Sequence, residues 1–276
     1  MALPEPSARG TALVTGASSG IGAAIAAELA SRGHGVTLVA RREERLRSLA
    51  TELIADHDVE ALFFACDLGG SEGRDRLADE LSEAGREVEI LVNNAGFGSR
   101  GNFVTNDPGR MLEMVRINVE TVVDLSSRFL PGMVERGRGT VINIASTAAF
   151  QPMPGAATYA ASKAFVLSFS EAIRTELRGT GVSVSAVCPG PVRTEFTDAA
   201  GMSGVEDTTP DMFWMSAEEL ARQAVDGAER AKRVIVPGAL NRAQSIAGQH
   251  APRALALPLI ERIWGSASSR GSSEED

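Results

Sequence analysis

The chain has 276 residues, of which 43% are hydrophobic and 23% charged, and its formal net charge is −9. These proportions are those of an ordinary globular protein with enough material for a sizeable core. The acidic balance disfavours a nucleic-acid-binding protein, because phosphate attachment requires a basic surface. The two cysteines, Cys66 and Cys188, are far apart, and the three histidines lie in no metal-ligand spacing. We therefore expect reduced, buried thiols and no metal site.

Neither a membrane span nor a secretory signal is predicted. No segment reaches the roughly 20 consecutive apolar residues that cross a bilayer. Residues 1–9 contain two prolines and no apolar run, so they are interpreted as an N-terminal extension. Residues 265–276 are rich in Ser, Gly and acidic residues, which predicts a disordered tail. A cytoplasmic location is the expectation.

Short β-branched runs alternate with helical patterns, which predicts repeated βα units and a parallel sheet. Strands are predicted at 11–15, 35–40, 59–66, 89–93, 139–145, 182–188 and 233–236. Helices are predicted at 21–31, 42–56, 71–84, 108–136 and 157–180. Near-continuous apolar strands occur where helices cover both faces of a sheet. We therefore predict an α/β fold, a doubly wound Rossmann-type parallel sheet of about seven strands, in a single domain over 10–264.

The pattern loosens after the sixth predicted strand. Residues 192–215 combine small and polar residues with apolar ones such as Phe196, Met202 and Trp214. A loop of this length in a compact domain is typical of a lid or binding loop. We predict a substrate loop; a helical excursion with its own apolar anchors is the alternative.

Residues 239–264 form a predicted C-terminal helical extension. An apolar stripe with Arg242, Arg253 and Arg262 could suit a helix at a membrane interface. Packing on a partner subunit or on the chain's own lid is the favoured interpretation.

A glycine-rich turn, Thr-Gly-Ala-Ser-Ser-Gly-Ile-Gly at 15–22, joins the first predicted strand to a helix. Its three glycines let the backbone turn tightly and approach a pyrophosphate at the helix N-terminus. The same stretch satisfies the G-x-S-x-G pattern of a hydrolase nucleophile elbow, which needs an acid and then a histidine downstream. Only His250 lies late enough, so a dinucleotide-binding turn is favoured.

The chain's single tyrosine, Tyr159, precedes Lys163 by four residues. On a helix both side chains then lie on one face. The pKa of a tyrosine is about 10, and a nearby cation lowers it, which makes the phenol a usable acid or base. By itself this spacing is common on solvated helices.

Several motifs in one order resemble the classical short-chain dehydrogenase/reductase family, over about residues 10–240. The glycine turn reads T-G-x-x-x-G-x-G, the family's own variant, and Ser146 precedes Tyr159 by 13 residues. The other matching segments are Asn93-Asn94-Ala95-Gly96, Cys66-Asp67-Leu68, Arg116-Ile117-Asn118-Val119 and Pro189-Gly190-Pro191-Val192-Arg193-Thr194.

The resemblance implies a catalytic set of Asn118, Ser146, Tyr159 and Lys163. Tyr159 would give a proton to a carbonyl oxygen during reduction and take one back during alcohol oxidation. Ser146 would hydrogen-bond the reacting oxygen. Lys163 would lower the pKa of the tyrosine and bind the nicotinamide ribose. Asn118 would hold a kinked helix and a water on the proton path.

The resemblance also implies a nicotinamide dinucleotide cofactor. Its predicted ligands are Gly16, Ser18, Ser19, Gly20, Ile21, Gly22, Arg41, Arg42, Asp67, Leu68, Asn94, Ala95, Gly96, Tyr159, Lys163, Pro189, Gly190, Val192 and Thr194, the last of these at the carboxamide. NAD enzymes of this fold usually end the second strand with an acid, whereas here Arg41 and Arg42 stand there. An arginine, with help from Ser18, can meet a 2′-phosphate through charge-assisted hydrogen bonds. NADP(H) is therefore predicted in preference to NAD(H); the alternative is that the arginines only begin the polar face of a helix.

The substrate is predicted less sharply. Phe97, Phe150 and Met153 suggest a lipophilic carbonyl compound or alcohol, although they could equally be core anchors. A 3-oxoacyl-thioester reductase is the nearest alternative, favoured if Arg100, Arg110 and Arg116 form a basic patch at the mouth of the site.

A non-catalytic, NADP-sensing regulatory protein is the alternative from another class. It is disfavoured because all four catalytic positions are retained. By resemblance, the helices that carry Asn118 and Tyr159 pair with a second subunit, which gives a homodimer or homotetramer.

Overall fold

The computed structural model describes residues 3–195, 210–250, 253–254 and 257–258. Within them, seven parallel strands form one sheet in the order β3-β2-β1-β4-β5-β6-β7. The strands are β1 (Gly10–Thr15), β2 (Val36–Ala40), β3 (Ala61–Ala65), β4 (Glu87–Asn93), β5 (Gly139–Ile144), β6 (Val182–Val187) and β7 (Val234–Ile235). The strand order reverses between β1 and β4, and ligands of such sheets bind beyond the carboxyl ends of the strands at that point.

Helices cover both faces of the sheet, which confirms the predicted doubly wound architecture. They are α1 (Gly20–Ser31), α2 (Glu43–His57), α3 (Ser71–Glu83), α4 (Pro108–Val115), α5 (Thr121–Glu135), α6 (Ala157–Glu176), α7 (Ala217–Glu229) and α8 (Ala239–His250). Neighbouring residues of a strand point to opposite faces. Accordingly, Val14 packs in a core with α1, α2 and α7, whereas Leu13 packs in a second core with α3 and α5.

The predicted helix 108–136 is confirmed from Pro108 to Glu135, with one irregular turn inside it. A π-helical turn, Arg116–Glu120, separates α4 from α5. Such turns are rare and often occur at functional sites. This one contains Asn118, which is buried.

Helix α7 was missed by the sequence prediction, although a signal was present. The Ser216 side chain caps the helix by accepting a hydrogen bond from the Glu219 backbone N–H at 3.2 Å. Ser-x-x-Glu before an apolar pattern is a recognised helix start. Leu220 and Val225 place the buried face of α7 against α1 and the sheet.

Other boundaries differ less. The predicted helix 157–180 ends at Glu176, before Gly179 and Gly181, whose positive φ angles a helix does not accept. The two ends of the predicted substrate loop, Val192 and Met215, are paired by an isolated β-bridge. Residues 196–209, the tail 265–276 and most of 251–264 lie outside the described residues.

Among the described helices, none combines the length and apolar character that a membrane span requires. Cys66 and Cys188 are both buried and not disulfide-bonded, as expected.

Candidate active site

The glycine turn after β1 has a backbone that only glycine adopts readily. Gly16 and Gly20 have φ angles of +66° and +56°, in the left-handed region that other residues rarely enter. A Cβ at Gly22 would collide with the carbonyl oxygen of Gly16. Ser19 directly precedes α1, and its side chain makes no capping hydrogen bond to the helix. The turn therefore presents the N-terminus of α1 to a cavity, the arrangement that receives a phosphate.

Thr15 and Asn94 hold this turn against β4. The Thr15 Oγ1 accepts hydrogen bonds from the backbone N–H groups of Asn94 and Ala95, at 2.9 and 3.0 Å. The Asn94 Nδ2 donates to the Thr15 carbonyl oxygen at 2.8 Å. Asn94, predicted as a cofactor ligand, thus also buttresses the turn. Thr15 was not predicted as a site residue.

Ser146, Tyr159 and Lys163 converge at the carboxyl end of β5. Ser146 and Tyr159 are hydrogen-bonded through their side chains. The Lys163 Nζ lies 5.9 Å from the centroid of the Tyr159 ring and donates to the Ile144 carbonyl oxygen at 2.9 Å. The predicted acid, its hydrogen-bonding serine and a cation are therefore neighbours.

Burial dominates the pKa values of this cluster. It raises the pKa of Tyr159, and the hydrogen bond with Ser146 opposes that effect. It lowers the pKa of Lys163 to about 8. Loss of solvation is thus the largest effect on the phenol. The expected lowering of the tyrosine pKa by Lys163 stays a prediction.

Asn118 supports the site from the π-helical turn. Its Nδ2 donates to the Phe97 carbonyl oxygen and to the Ser162 Oγ, both at 3.0 Å, and its Oδ1 accepts from the Phe97 N–H at 3.1 Å. The Ser162 Oγ in turn donates to the Tyr159 carbonyl oxygen at 2.7 Å. Asn118 and Ser162 therefore tie the turn to the helix that carries Tyr159.

Ser162 was missed by the sequence prediction. Its position directly before Lys163, within the Tyr159-x-x-x-Lys163 motif, was the available signal. Cys188 lies behind Ser146, whose backbone N–H faces the thiol. Burial raises the pKa of Cys188 to about 12, so this group stays protonated and takes no part in acid–base chemistry.

One cavity of about 1180 Å³ unites these groups. Every predicted site residue lines it except Gly22 and Asn118, which lie behind the lining. At one end the wall is apolar and aromatic: Phe97, Phe150, Met153, Phe213 and Trp214. Arg100, Arg110 and Arg116 line the same cavity. The guanidinium of Arg110 lies 4.9 Å from the centroid of the Phe97 ring.

Residues 10–202, more than half of the chain, match the family model of the short chain dehydrogenases. The chain belongs to the short-chain dehydrogenase family. The family assignment agrees with the seven-stranded order, the glycine turn and the convergence of Ser146, Tyr159 and Lys163.

This short-chain dehydrogenase is similar to proteins from bacteria and animals. It is 38% identical to sulfoacetaldehyde reductase 2 of Chromohalobacter salexigens over 76% of this chain and 84% of that protein. It is 36% identical to the very-long-chain 3-oxoacyl-CoA reductase of Anas platyrhynchos over 75% of this chain and 67% of that protein. A short-chain dehydrogenase from Sphingobium yanoikuyae, solved in complex with NADPH, matches with a TM-score of 0.77 and 32% identity, over 96% of each chain.

The other end of the cavity in this short-chain dehydrogenase is basic and hydroxylic. The Arg42 Nε donates to the Ser18 Oγ at 3.1 Å, and its Nη2 donates to the Ser18 Oγ at 3.0 Å and to the Ser19 Oγ at 2.6 Å. Arg41 lines the cavity beside them, as do Asp67 and Leu68. Arg42 and Ser18, both predicted to meet a 2′-phosphate, are therefore neighbours.

Proposed function

We propose that this short-chain dehydrogenase is an NADPH-dependent oxidoreductase that interconverts a carbonyl and a secondary alcohol, with Tyr159 as the general acid and base. The observation that carries the proposal is the contact between Ser146 and Tyr159 beside the buried Lys163, in the cavity that begins at the glycine turn.

The residues at the glycine turn fit a dinucleotide. Gly16 and Gly20 leave the backbone open for close approach, and the start of α1 suits a pyrophosphate. Arg42, Ser18 and Ser19 offer a guanidinium and two hydroxyls, the donors that suit a 2′-phosphate. The similar Sphingobium enzyme binds NADPH. When bound, the cofactor supplies the hydride.

The chain's own residues would handle the proton. The raised pKa of Tyr159 keeps the phenol protonated at neutral pH, so it can donate to the carbonyl oxygen of a substrate. Ser146 would hydrogen-bond the same oxygen as negative charge develops there. The Lys163 ammonium would stabilise the phenolate that remains. Asn118 acts as a positioning residue, through Ser162.

Tyr159→Phe is the decisive variant. It keeps the ring and its packing but removes the proton, so we expect NADPH binding, followed by fluorescence titration, to stay within about twofold of wild type. Turnover should fall about 100- to 10,000-fold, the range typical of general acid catalysis. Ketones, aldehydes, steroids, quinones and 3-oxoacyl thioesters serve as test substrates.

Two outcomes would contradict the proposal. An active Tyr159→Phe variant would exclude the mechanism. Wild-type protein that binds NADPH but reduces none of these compounds would favour the NADP-sensing protein instead.

The substrate is proposed to be lipophilic. The aromatic and methionine side chains of the cavity wall support an apolar group beside the reacting carbon. The second candidate, a 3-oxoacyl thioester, is favoured by Arg100, Arg110 and Arg116, since they line the same cavity. The acyl chain would lie on the apolar wall, and the phosphates of the thioester carrier would meet the arginines. The similar Anas platyrhynchos protein is a 3-oxoacyl-CoA reductase.

Arg116→Gln separates the two substrate classes. If the substrate is a 3-oxoacyl-CoA, its KM should rise roughly three- to tenfold, because an exposed charge pair contributes modestly. The KM for an uncharged ketone of equal chain length should not change. Equal effects on both compounds, or none on the thioester, would favour the uncharged lipophilic substrate.

We also propose a homodimer or homotetramer in the cytoplasm. Exposed apolar side chains on α4 and α6, among them Leu112, Val115 and Phe165, support pairing through these helices.

A further inference from the structure

Glu195 occupies the basic end of the cavity. Its Oε2 lies 2.9 Å from the Arg42 Nη1, and its Oε1 lies 2.6 Å from the Arg45 Nη1. The Glu195 carboxylate therefore bridges two guanidinium groups, that of Arg45 on α2 and that of Arg42, which directly precedes α2. Arg42 is at the same time the residue that contacts Ser18 and Ser19.

The bridge is made by an ionised carboxylate at any physiological pH. Hydrogen bonds from Arg45 and Arg42 lower the pKa of Glu195 to about 2. The negative charge is thus present at the position where the proposed function places the adenosine 2′-phosphate. A phosphate monoester carries more charge, about −1.5 to −2, and three acceptor oxygens. Both anions would engage the Arg42 guanidinium, on which Glu195 already holds Nη1.

The backbone around Glu195 explains how it reaches this position. Glu195 follows Thr194 directly, and a Cβ at Gly20 would lie 3.1 Å from the Thr194 side chain. The segment after β6 therefore runs alongside the glycine turn. From this segment Glu195 reaches Arg42, which lies 153 positions earlier in the chain, and Arg45 of α2.

We propose that Glu195 is an internal competitor of the cofactor's 2′-phosphate and thereby sets the affinity for 2′-phosphorylated dinucleotides. Its carboxylate holds Arg42 and Arg45, and a 2′-phosphate displaces it and takes over the guanidinium groups. A dinucleotide without that phosphate leaves the bridge intact. This inference rests on the proposed NADP(H) dependence.

Glu195→Gln tests the competition directly by ligand binding. Calorimetric titration with 2′,5′-ADP should show roughly three- to tenfold tighter binding to the variant than to wild type, since two exposed ion pairs no longer compete. Binding of 5′-AMP should be the same in both proteins. The difference should shrink in 0.5 M salt, because exposed charges are screened there.

Glu229→Gln is the matched control. Glu229 is as exposed as Glu195, at 52% of its side chain, and pairs with Arg32 away from the cavity. The Glu229→Gln substitution changes the net charge by the same amount as Glu195→Gln, so any general electrostatic effect appears in both variants. We expect wild-type affinity for both nucleotides in this control.

The outcomes separate the two proposals. Wild type that binds 2′,5′-ADP no better than 5′-AMP would refute the NADP(H) preference itself. A wild-type preference for 2′,5′-ADP that Glu195→Gln leaves unchanged or weakens would refute only the role of Glu195. Equal gains in Glu195→Gln and Glu229→Gln would also refute it.

Discussion

At the scale of single residues, burial moves the two titratable groups of the site in opposite directions. Loss of water penalises the charged form of each, which raises the pKa of Tyr159 and lowers that of Lys163 to about 8. At pH 7 the phenol is therefore protonated and most of the lysine is still a cation. This pair of states suits carbonyl reduction.

The pKa of Lys163 predicts a pH dependence. Because it is lowered to about 8, the cation is present below that pH and is lost as the pH rises through it. We expect kcat/KM for NADPH, which reports on the free enzyme, to decline about tenfold per pH unit above pH 8. A pH series of initial rates from pH 6 to 10 measures this decline.

Lys163→Arg is the companion variant. A guanidinium stays charged throughout this range, so in whatever activity remains the decline should move to higher pH. A wild-type profile that stays flat from pH 7 to 10 would show that the charge on Lys163 is not required.

At the scale of elements, the π-helical turn between α4 and α5 positions Asn118. A π-helical turn holds one more residue than an α-helical turn and so redirects the side chains that follow. The apolar periodicity of 108–136 predicts helix on both sides but does not reveal the extra residue. The turn is stabilised by contacts of Asn118 with Phe97 and Ser162, which lie on other segments. Only their approach in three dimensions decides where the extra residue lies.

Helix α7 illustrates the opposite case. Its start is encoded locally, by the cap from Ser216 to the Glu219 backbone and by buried Leu220 and Val225. It was predictable from residues within one turn, and it fills the face of the sheet beside α1.

At the scale of the whole molecule, several exposed apolar side chains lie on the helices that flank the site. Leu112 of α4 is 58% exposed and Phe165 of α6 is 42% exposed. Apolar surface of this kind is removed from water when a second subunit covers it. The same two helices neighbour Asn118 and Tyr159, so assembly would also steady the site.

Phe165→Glu tests this assembly. A charge buried between subunits is costly, so we expect the oligomer to dissociate to monomers at micromolar concentration, as measured by size-exclusion chromatography with light scattering. Ile54→Glu is the matched control, because Ile54 is 49% exposed on α2, away from these helices. A wild-type monomer, or equal dissociation in both variants, would refute the proposed interface.

The sequence by itself determined most of the strands and helices and the glycine turn, and the motif spacing of a family resemblance predicted Ser146, Tyr159 and Lys163 as site residues. These features depend on local rules, such as positive φ at glycine, apolar periodicity and motif spacing. The tertiary structure alone decided four features. They are the π-helical turn, the cavity that Arg100, Arg110 and Arg116 all line, the directions of the pKa shifts, and the bridge from Glu195 to Arg42. Each of these depends on burial or on contacts between distant residues, 153 positions apart for the bridge. Solvation and distance are properties of the folded chain, and no local pattern contains them.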